Sequence, residues 1–163
     1  MRPASRLAIP ALCLALWASG AASQAVPFGD AAASGEPVEV TSETLSIDRD
    51  SGRAVFEGGV VVGQGPLRLA AERVEVEYGE DRRIARLLAS GGVTLVSGED
   101  AAESQEASYA VDAGEIVMTG EVLLTQGAAT GGAALSADRL RVELATGRAE
   151  LEGRVRTVLP VGD

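Results

Sequence analysis

The sequence contains no histidine, lysine or asparagine, and only one cysteine and one tryptophan. Cys13 and Trp17 both lie in an N-terminal apolar run that we predict is removed. Once that run is removed, the remaining chain has neither histidine nor cysteine, so it cannot build a Ser-His-Asp triad, a thiol nucleophile or a histidine-ligated zinc site. The many carboxylates fall at alternating strand positions or in turns, where they are solvated. The sequence therefore predicts a protein that is not an enzyme and that uses no cofactor and no metal.

The first residues have the pattern of a secretory signal peptide. Arg2 and Arg6 precede an apolar run of twelve residues, 7–18, which is followed by small residues up to Ala25. The run is short for a permanent membrane-spanning helix. We predict a signal peptide over 1–25, with Ala22 or Ser23 as alternative cleavage points. A flexible leader over 26–37 and one domain over 38–160 follow.

The charge of the remaining chain is strongly negative. Removal of 1–25 leaves 138 residues, in which 12 arginines face 24 aspartates and glutamates, a formal charge of about −12. Such a surface repels polyanions, so nucleic acid is excluded as a partner. A secreted chain without disulfides must be held together by strand pairing and apolar burial.

A phrase of apolar residues, a glycine and a β-branched run occurs four times. Its glycines are spaced 33, 29 and 33 residues apart, which is typical of a repeat architecture. The four copies are Ala54–Val62 with Gly58, Leu87–Leu95 with Gly91, Ile116–Leu124 with Gly120, and Ala149–Thr157 with Gly153.

A second phrase, small-acidic-x-apolar-x-apolar, is interleaved with the first. It begins at Ser42, Ala71 and Ala137, with a degraded version at Ser104. Alternating runs separated every eight to twelve residues by turn signals predict an all-β sandwich, roll or barrel. The glycine pairs before valine predict bulges or tight corners. The segment 48–52 superficially resembles a calcium loop but lacks its later acidic ligands, so we predict a plain hairpin turn there.

The alternation also predicts an inward apolar face. Periodicity alone leaves open whether this face is a filled core or lines an apolar groove for acyl chains. The candidate residues are Phe56, Val60, Val62, Leu67, Leu69, Val74, Val76, Leu95, Met118, Val122, Leu124, Leu140, Val142 and Val155.

The two phrases, in this order and number, resemble the OstA-like domain family of lipopolysaccharide transport. The resemblance covers roughly 38–159. The matching segments are Ser42–Asp48, Ala54–Val62, Ala71–Val76, Ile84–Leu95, Ala137–Val142 and Ala149–Val155.

The resemblance implies a fold and a function. The implied fold is an open, V-shaped β-jelly roll of stacked short antiparallel strands. The implied function is to carry lipopolysaccharide across the periplasm, from an inner-membrane complex with an LptC-like protein to an LptD-like outer-membrane protein. A negatively charged protein is poorly suited to grip lipid phosphates, so the acyl chains should be bound in the apolar groove.

An open roll also leaves unpaired edge strands that can pair head to tail with like domains. We predict these edges at Val38 and Val40 near the start, and at Val155, Thr157 and Leu159 near the end. The same edges are the candidate contacts with the two membrane partners.

Two other readings remain open. The chain could be the LptC-like member of the same system, although the short apolar run and the small residues after it disfavour a retained anchor. It could also be a structural adaptor made of β-repeats, with a closed core and no lipid. Lipid uptake by the purified domain separates the carrier from the adaptor.

Overall fold

The computed structural model describes residues 36–127 and 132–158, which form one antiparallel sheet. Strands follow the chain as a meander, in the order β1-β3-β4-β5-β6-β7-β8-β10, with β2 on β3 and β9 on β8. The ten strands are β1 (Glu39–Thr41), β2 (Thr44–Asp48), β3 (Arg53–Gln64), β4 (Leu67–Tyr78), β5 (Ile84–Ser97), β6 (Asp100–Ala110), β7 (Glu115–Gln126), β8 (Ala133–Glu143), β9 (Arg148–Glu152) and β10 (Arg156–Val158).

The six long strands bend in the middle, so that the sheet folds into two layers. Layer I contains β2, β9 and the halves of β3–β8 that pair around Phe56, Val74 and Ala107. Layer II contains β1, β10 and the halves that pair around Val62 and Leu69. The inward side chains of both layers form one hydrophobic cluster. The sheet does not close into a barrel, which agrees with the open roll expected from the resemblance.

The bends lie at the glycines of the first repeated phrase. The β3–β4 register skips two residues, Gly58 and Gly59, against the single residue Glu72, and both glycines have positive φ. Two residues opposite one define a β-bulge, which bends the strand and increases its twist. The β5–β6 register skips in the same way at Gly91 and Gly92. The predicted corners are therefore confirmed.

The two repeated phrases meet at these corners. The acidic or amide residue of each small-acidic phrase packs against the glycine of the next glycine phrase, with no room for a further carbon atom. A Cβ on the glycine would lie 2.9 Å or less from the facing side chain at every corner. The four pairs are Glu43 on Gly58, Glu72 on Gly91, Gln105 on Gly120 and Asp138 on Gly153.

The corners in the third and fourth units place a side chain where the first two have glycine. Glu121 and Arg154 have φ values of 51° and 42°, in the left-handed region that disfavours side chains. Both residues make polar contacts across the corner: Gln105 Nε2 donates to Glu121 Oε2 at 2.8 Å, and Arg154 Nη2 donates to Asp138 Oδ1 at 2.6 Å.

The structure also defines the degraded phrase and the turn after β2. The degraded phrase at 104–109 lies inside β6. Its residues 106–109 pair with both β5 and β7, whereas the bulges leave Gln105 without a register partner in β5, and Ser104 and Gln105 without one in β7. The turn after β2 is a plain hairpin turn, in which Asp48 Oδ1 accepts hydrogen bonds from the backbone N–H groups of Asp50 and Ser51. A hydrogen bond from the Ser51 side chain, together with these two backbone bonds, lowers the pKa of Asp48.

Within the described residues no helix is long and apolar enough to cross a bilayer. The predicted signal peptide, most of the predicted leader, and Leu159 lie outside the described residues.

Candidate functional site

The candidate site is the apolar space between the two layers. Twelve of the fourteen residues predicted for the inward face are buried in the cluster that joins the layers. They are Val60, Val62, Leu67, Leu69, Val74, Val76, Leu95, Met118, Val122, Leu124, Leu140 and Val142. Their placement on the inward face is confirmed, whereas a role in lipid binding stays a prediction.

The two remaining residues differ from the other twelve. Phe56 is half-buried at the side of layer I, where it packs against the cluster. Val155 is 51% exposed and belongs to no strand, so its prediction as an inward residue is wrong. The corner at Gly153 and Arg154 interrupts the alternation, and the strand resumes only at Arg156. The alternation of inward and outward side chains therefore cannot be counted across this corner, and for this reason the prediction for Val155 failed.

The layers are packed almost completely against each other. The cavity that both layers line has a volume of about 20 Å³ when measured for the centre of a water-sized sphere. A volume of this size holds about one water and no acyl chain. Its lining residues are Val38, Val62, Gln64, Leu67, Leu69, Val74, Leu87, Ala89, Ala107, Tyr109 and Ile116. The structure therefore shows a narrow cavity where an open groove was expected.

One hydrogen-bonded pair crosses the cavity from layer to layer. Tyr109 Oη, from layer I, donates to Gln64 Oε1, from layer II, at 3.2 Å. Gln64 Nε2 in turn donates to the backbone carbonyl of Glu36 at 3.2 Å. Tyr109 is 7% exposed, and this burial raises the pKa of its hydroxyl above the usual value. The pair is the polar part of a lining that is otherwise aliphatic.

Several cavity residues were not singled out from the sequence. Leu87, Ala89 and Ile116 follow the same alternation as the predicted residues, so their signal was present. Ala107 and Tyr109 lie in the degraded phrase, where small and polar neighbours weaken the pattern. Gln64 could not be predicted from the apolar alternation, because a polar residue at an inward strand position interrupts that pattern.

The apolar inner face continues past the cavity to β2, the edge strand of layer I. Leu45 pairs with Phe56 and Ile47 with Ala54, so both point inward with the core residues. They are nevertheless 50% and 67% exposed. Twisted layers cross at an angle, so layer II leaves this corner of layer I uncovered.

The predicted edges agree with the structure in part. Among the described strands, β1 pairs only with β3 and β10 pairs only with β8, and Val40 and Thr157 lie in these two strands. Val38 precedes β1 and Val155 precedes β10, so neither belongs to its edge strand. β2 and β9 are edges as well, because the bent first and last strands contribute one edge to each layer.

Charges cover the outer surface of layer I and are absent from the cavity. On this surface Arg53 contacts Glu75 and Glu77 at 3.1 and 3.2 Å, and Arg73 contacts Glu57. Among the described residues the one buried carboxylate is that of Asp100, at the far end of layer II, which accepts a hydrogen bond from the Gly127 N–H at 2.9 Å. No cluster of potential metal ligands occurs in 36–127 and 132–158.

The comparisons place this architecture among known proteins. The model of the LptA/(LptD N-terminal domain) LPS transport protein family matches residues 39–148. The fold is similar to the crystal structure of LptH from Pseudomonas aeruginosa, described as the LptA-homologous periplasmic component of the conserved lipopolysaccharide transport device. That similarity has a TM-score of 0.68 at 16% identity, and covers 77% of this chain and 96% of LptH. No curated protein matches the sequence.

The open roll of bent antiparallel strands with an aliphatic interior defines an OstA-like β-jelly roll. Because the family model matches most of the chain, the protein belongs to the LptA/LptD N-terminal domain family of lipopolysaccharide transport proteins. Members of this family are transport components and not enzymes, which confirms the prediction from the missing histidine and cysteine.

Proposed function

We propose that this protein is a periplasmic carrier and bridge that moves lipopolysaccharide from an inner-membrane complex to an outer-membrane translocon. The acyl chains travel between the two layers, and the sugar and phosphate groups stay in solvent. The observation that carries the proposal is the aliphatic inner face, which runs from the buried cluster to the exposed Leu45 and Ile47. Each buried CH₂ contributes about 0.8 kcal/mol, so chains inserted along this face gain affinity without any charged contact.

Binding requires the layers to separate. The space at rest holds about one water, so acyl chains must displace contacts between the layers that are already made. The bent strands allow this change, because the corners at Gly58 and Gly91 lie on the line where the layers join. Opening costs packing energy, and the lipid chains repay it by refilling the same space.

The edge strands supply the bridging part of the proposal. Within 36–127 and 132–158, β1 and β2 on one side, and β9 and β10 on the other, each have one unpaired edge. An LptC-like protein, an LptD-like protein or a second copy of this chain can extend the sheet at these edges. Head-to-tail addition would place the next layer I beside Leu45 and Ile47, so that the apolar face continues into the neighbour.

A photocrosslinker at Phe56 tests the carrier. Phe56 is inward and half-buried, and p-benzoylphenylalanine resembles it in shape. Val55 is the matched control, since it lies next to Phe56 but pairs with Glu75 on the outer surface of layer I. We expect lipopolysaccharide adducts from position 56 and none from position 55 in cells.

The competing function is a structural adaptor with no lipid cargo. The nearly filled interior favours it, because a closed core needs no ligand. Adducts absent from both positions, in a protein that is folded and periplasmic, would support the adaptor and reject the carrier.

A further inference from the structure

The cavity between the layers is covered at its mouth by the start of the domain. Val38 lines the cavity and is partly buried against the core, and it is the one lining residue in the described chain that lies outside a strand. Residues 36–41, which include Val38 and β1, are here called the strap. The strap crosses from the mouth of the cavity to the edge of layer II.

Few interactions hold the strap in place. β1 pairs with β3 over three residues, whereas β4 pairs with β3 over ten. Its outer edge pairs with no strand in the described part of the chain, and of its side chains only Val38 and Val40 pack on the core. Short edge segments with few buried contacts open at a lower free energy than the core they cover.

The remaining attachment of the strap is the hydrogen-bonded pair that spans the cavity. Gln64 holds the Glu36 carbonyl with its amide nitrogen and the Tyr109 hydroxyl with its amide oxygen. One side chain thus ties the strap and both layers together at a single point. Release of the strap frees Gln64 from Glu36, and separation of the layers frees it from Tyr109. Both movements therefore break a hydrogen bond of the same side chain. Glu36, Gln64 and Tyr109 are here called the latch.

We propose that the strap is a gate for the acyl-chain site: it must leave β3 before lipid enters, and the Glu36–Gln64–Tyr109 latch sets how readily it leaves. This inference rests on the proposed function, because it concerns access to the same site.

A disulfide across β1 and β3 tests the gate. Glu39 and Gly63 are register partners whose side-chain positions point away from the cavity. The three atoms nearest to a Cβ at Gly63 belong to the flexible end of the Arg68 side chain, at 3.3–3.4 Å. In E39C/G63C the oxidised protein keeps the strap closed, and a reductant releases it. T44C/E57C is the matched control, because it locks β2 to the same strand β3 in layer I, away from the cavity.

The readout is the uptake of purified lipopolysaccharide from detergent by the secreted domain. We expect oxidised E39C/G63C to take up at least tenfold less than its reduced form, and T44C/E57C to be equal in both states. Equal uptake by oxidised and reduced E39C/G63C would overturn the gate and leave the carrier intact. No uptake by any reduced protein would reject the carrier, and the gate with it.

The latch has its own variant, which needs no disulfide. Tyr109→Phe removes one hydrogen bond and keeps the ring, so uptake should become about 2- to 10-fold faster. Tyr78→Phe is the control, since Tyr78 is 44% exposed and does not line the cavity. An uptake rate of Tyr109→Phe equal to that of Tyr78→Phe would show that the latch does not control entry.

Discussion

Two adjacent glycines at the second corner have similar backbone conformations but different space around them, and this difference allows a sharp test of how the strands bend. Gly91 and Gly92 have φ values of +85° and +81°, so alanine is strained by a similar amount at both. A Cβ at Gly91 would lie 2.7 Å from Glu72 Cβ, whereas a Cβ at Gly92 would have no atom within 4 Å. Gly91→Ala therefore adds a steric clash that Gly92→Ala lacks.

The expected magnitudes follow from these two terms. The left-handed conformation costs alanine about 1–2 kcal/mol, and the stiffer unfolded chain returns about 0.4–1 kcal/mol. Gly92→Ala should therefore destabilise the domain by about 1 kcal/mol. Carbon atoms prefer about 3.5–4.0 Å, and overpacking costs about 1–3 kcal/mol. Glu72 Cβ is attached directly to the backbone and cannot rotate away. Gly91→Ala should therefore lower the free energy of unfolding by about 2–4 kcal/mol in total.

Urea unfolding measures both variants. With a slope of about 1–3 kcal/mol per molar urea, the midpoint of Gly91→Ala should lie roughly 1 M below that of Gly92→Ala. A double-mutant cycle with Glu72 identifies the clash. Glu72→Gly removes the facing Cβ and should rescue Gly91→Ala, while Glu72→Ala keeps that atom and should not. Equal midpoints for the two alanine variants would refute the packing of repeat on repeat described above.

Three further predictions concern single side chains. Arg154→Gly should be about 1 kcal/mol more stable than Arg154→Ala in urea unfolding, because both lose the Asp138 contact and only alanine is strained at a φ of 42°. The pKa of Asp138, lowered chiefly by its hydrogen bond from Arg154, should rise towards 3.8 in Arg154→Ala when its carboxyl is titrated by NMR. Leu140→Ala, at a fully buried site, should cost about 2–5 kcal/mol, whereas Leu123→Ala, 41% exposed, should cost less than 1 kcal/mol.

Each of these has an outcome that contradicts it. Equal stability of the two Arg154 variants would mean that the corner tolerates alanine. Because the lowered pKa belongs to the folded state, the Asp138–Arg154 contribution is present above the unfolded pKa and lost as the pH falls through the folded value. If the difference in unfolding free energy between the unmodified protein and Arg154→Ala did not change across that acid range, the Asp138–Arg154 contact would not contribute to stability. Similar losses at Leu140 and Leu123 would contradict the assignment of inner and outer faces.

Much of the fold could be read from the sequence because local rules were consistent. The alternation in β4 and β8 places Val74, Val76, Leu140 and Val142 on the same face, and the structure buries all four. The repeated glycine marks every corner, since only glycine avoids strain at the first position of the bulge. These features depend on a period of two residues and on backbone sterics, both of which act over a few residues.

The errors and omissions arose where the local rule was interrupted. Val155 follows a corner residue with positive φ, so its parity could not be counted through from Leu151. Gln64 is polar at an inward position, and its partners Glu36 and Tyr109 are 28 and 45 residues away in the chain. No pattern within one strand links these three residues.

The sequence by itself determined the strands, the corners, the inward face and the family resemblance. Each of these follows from side-chain alternation and from the repeat of two short phrases. Only the tertiary structure decided that the layers close on each other, that layer II leaves Leu45 and Ile47 uncovered, and that Gln64 joins the strap to both layers. The reason is physical. Burial and layer crossing depend on the twist accumulated over the whole sheet, and no single strand carries that information.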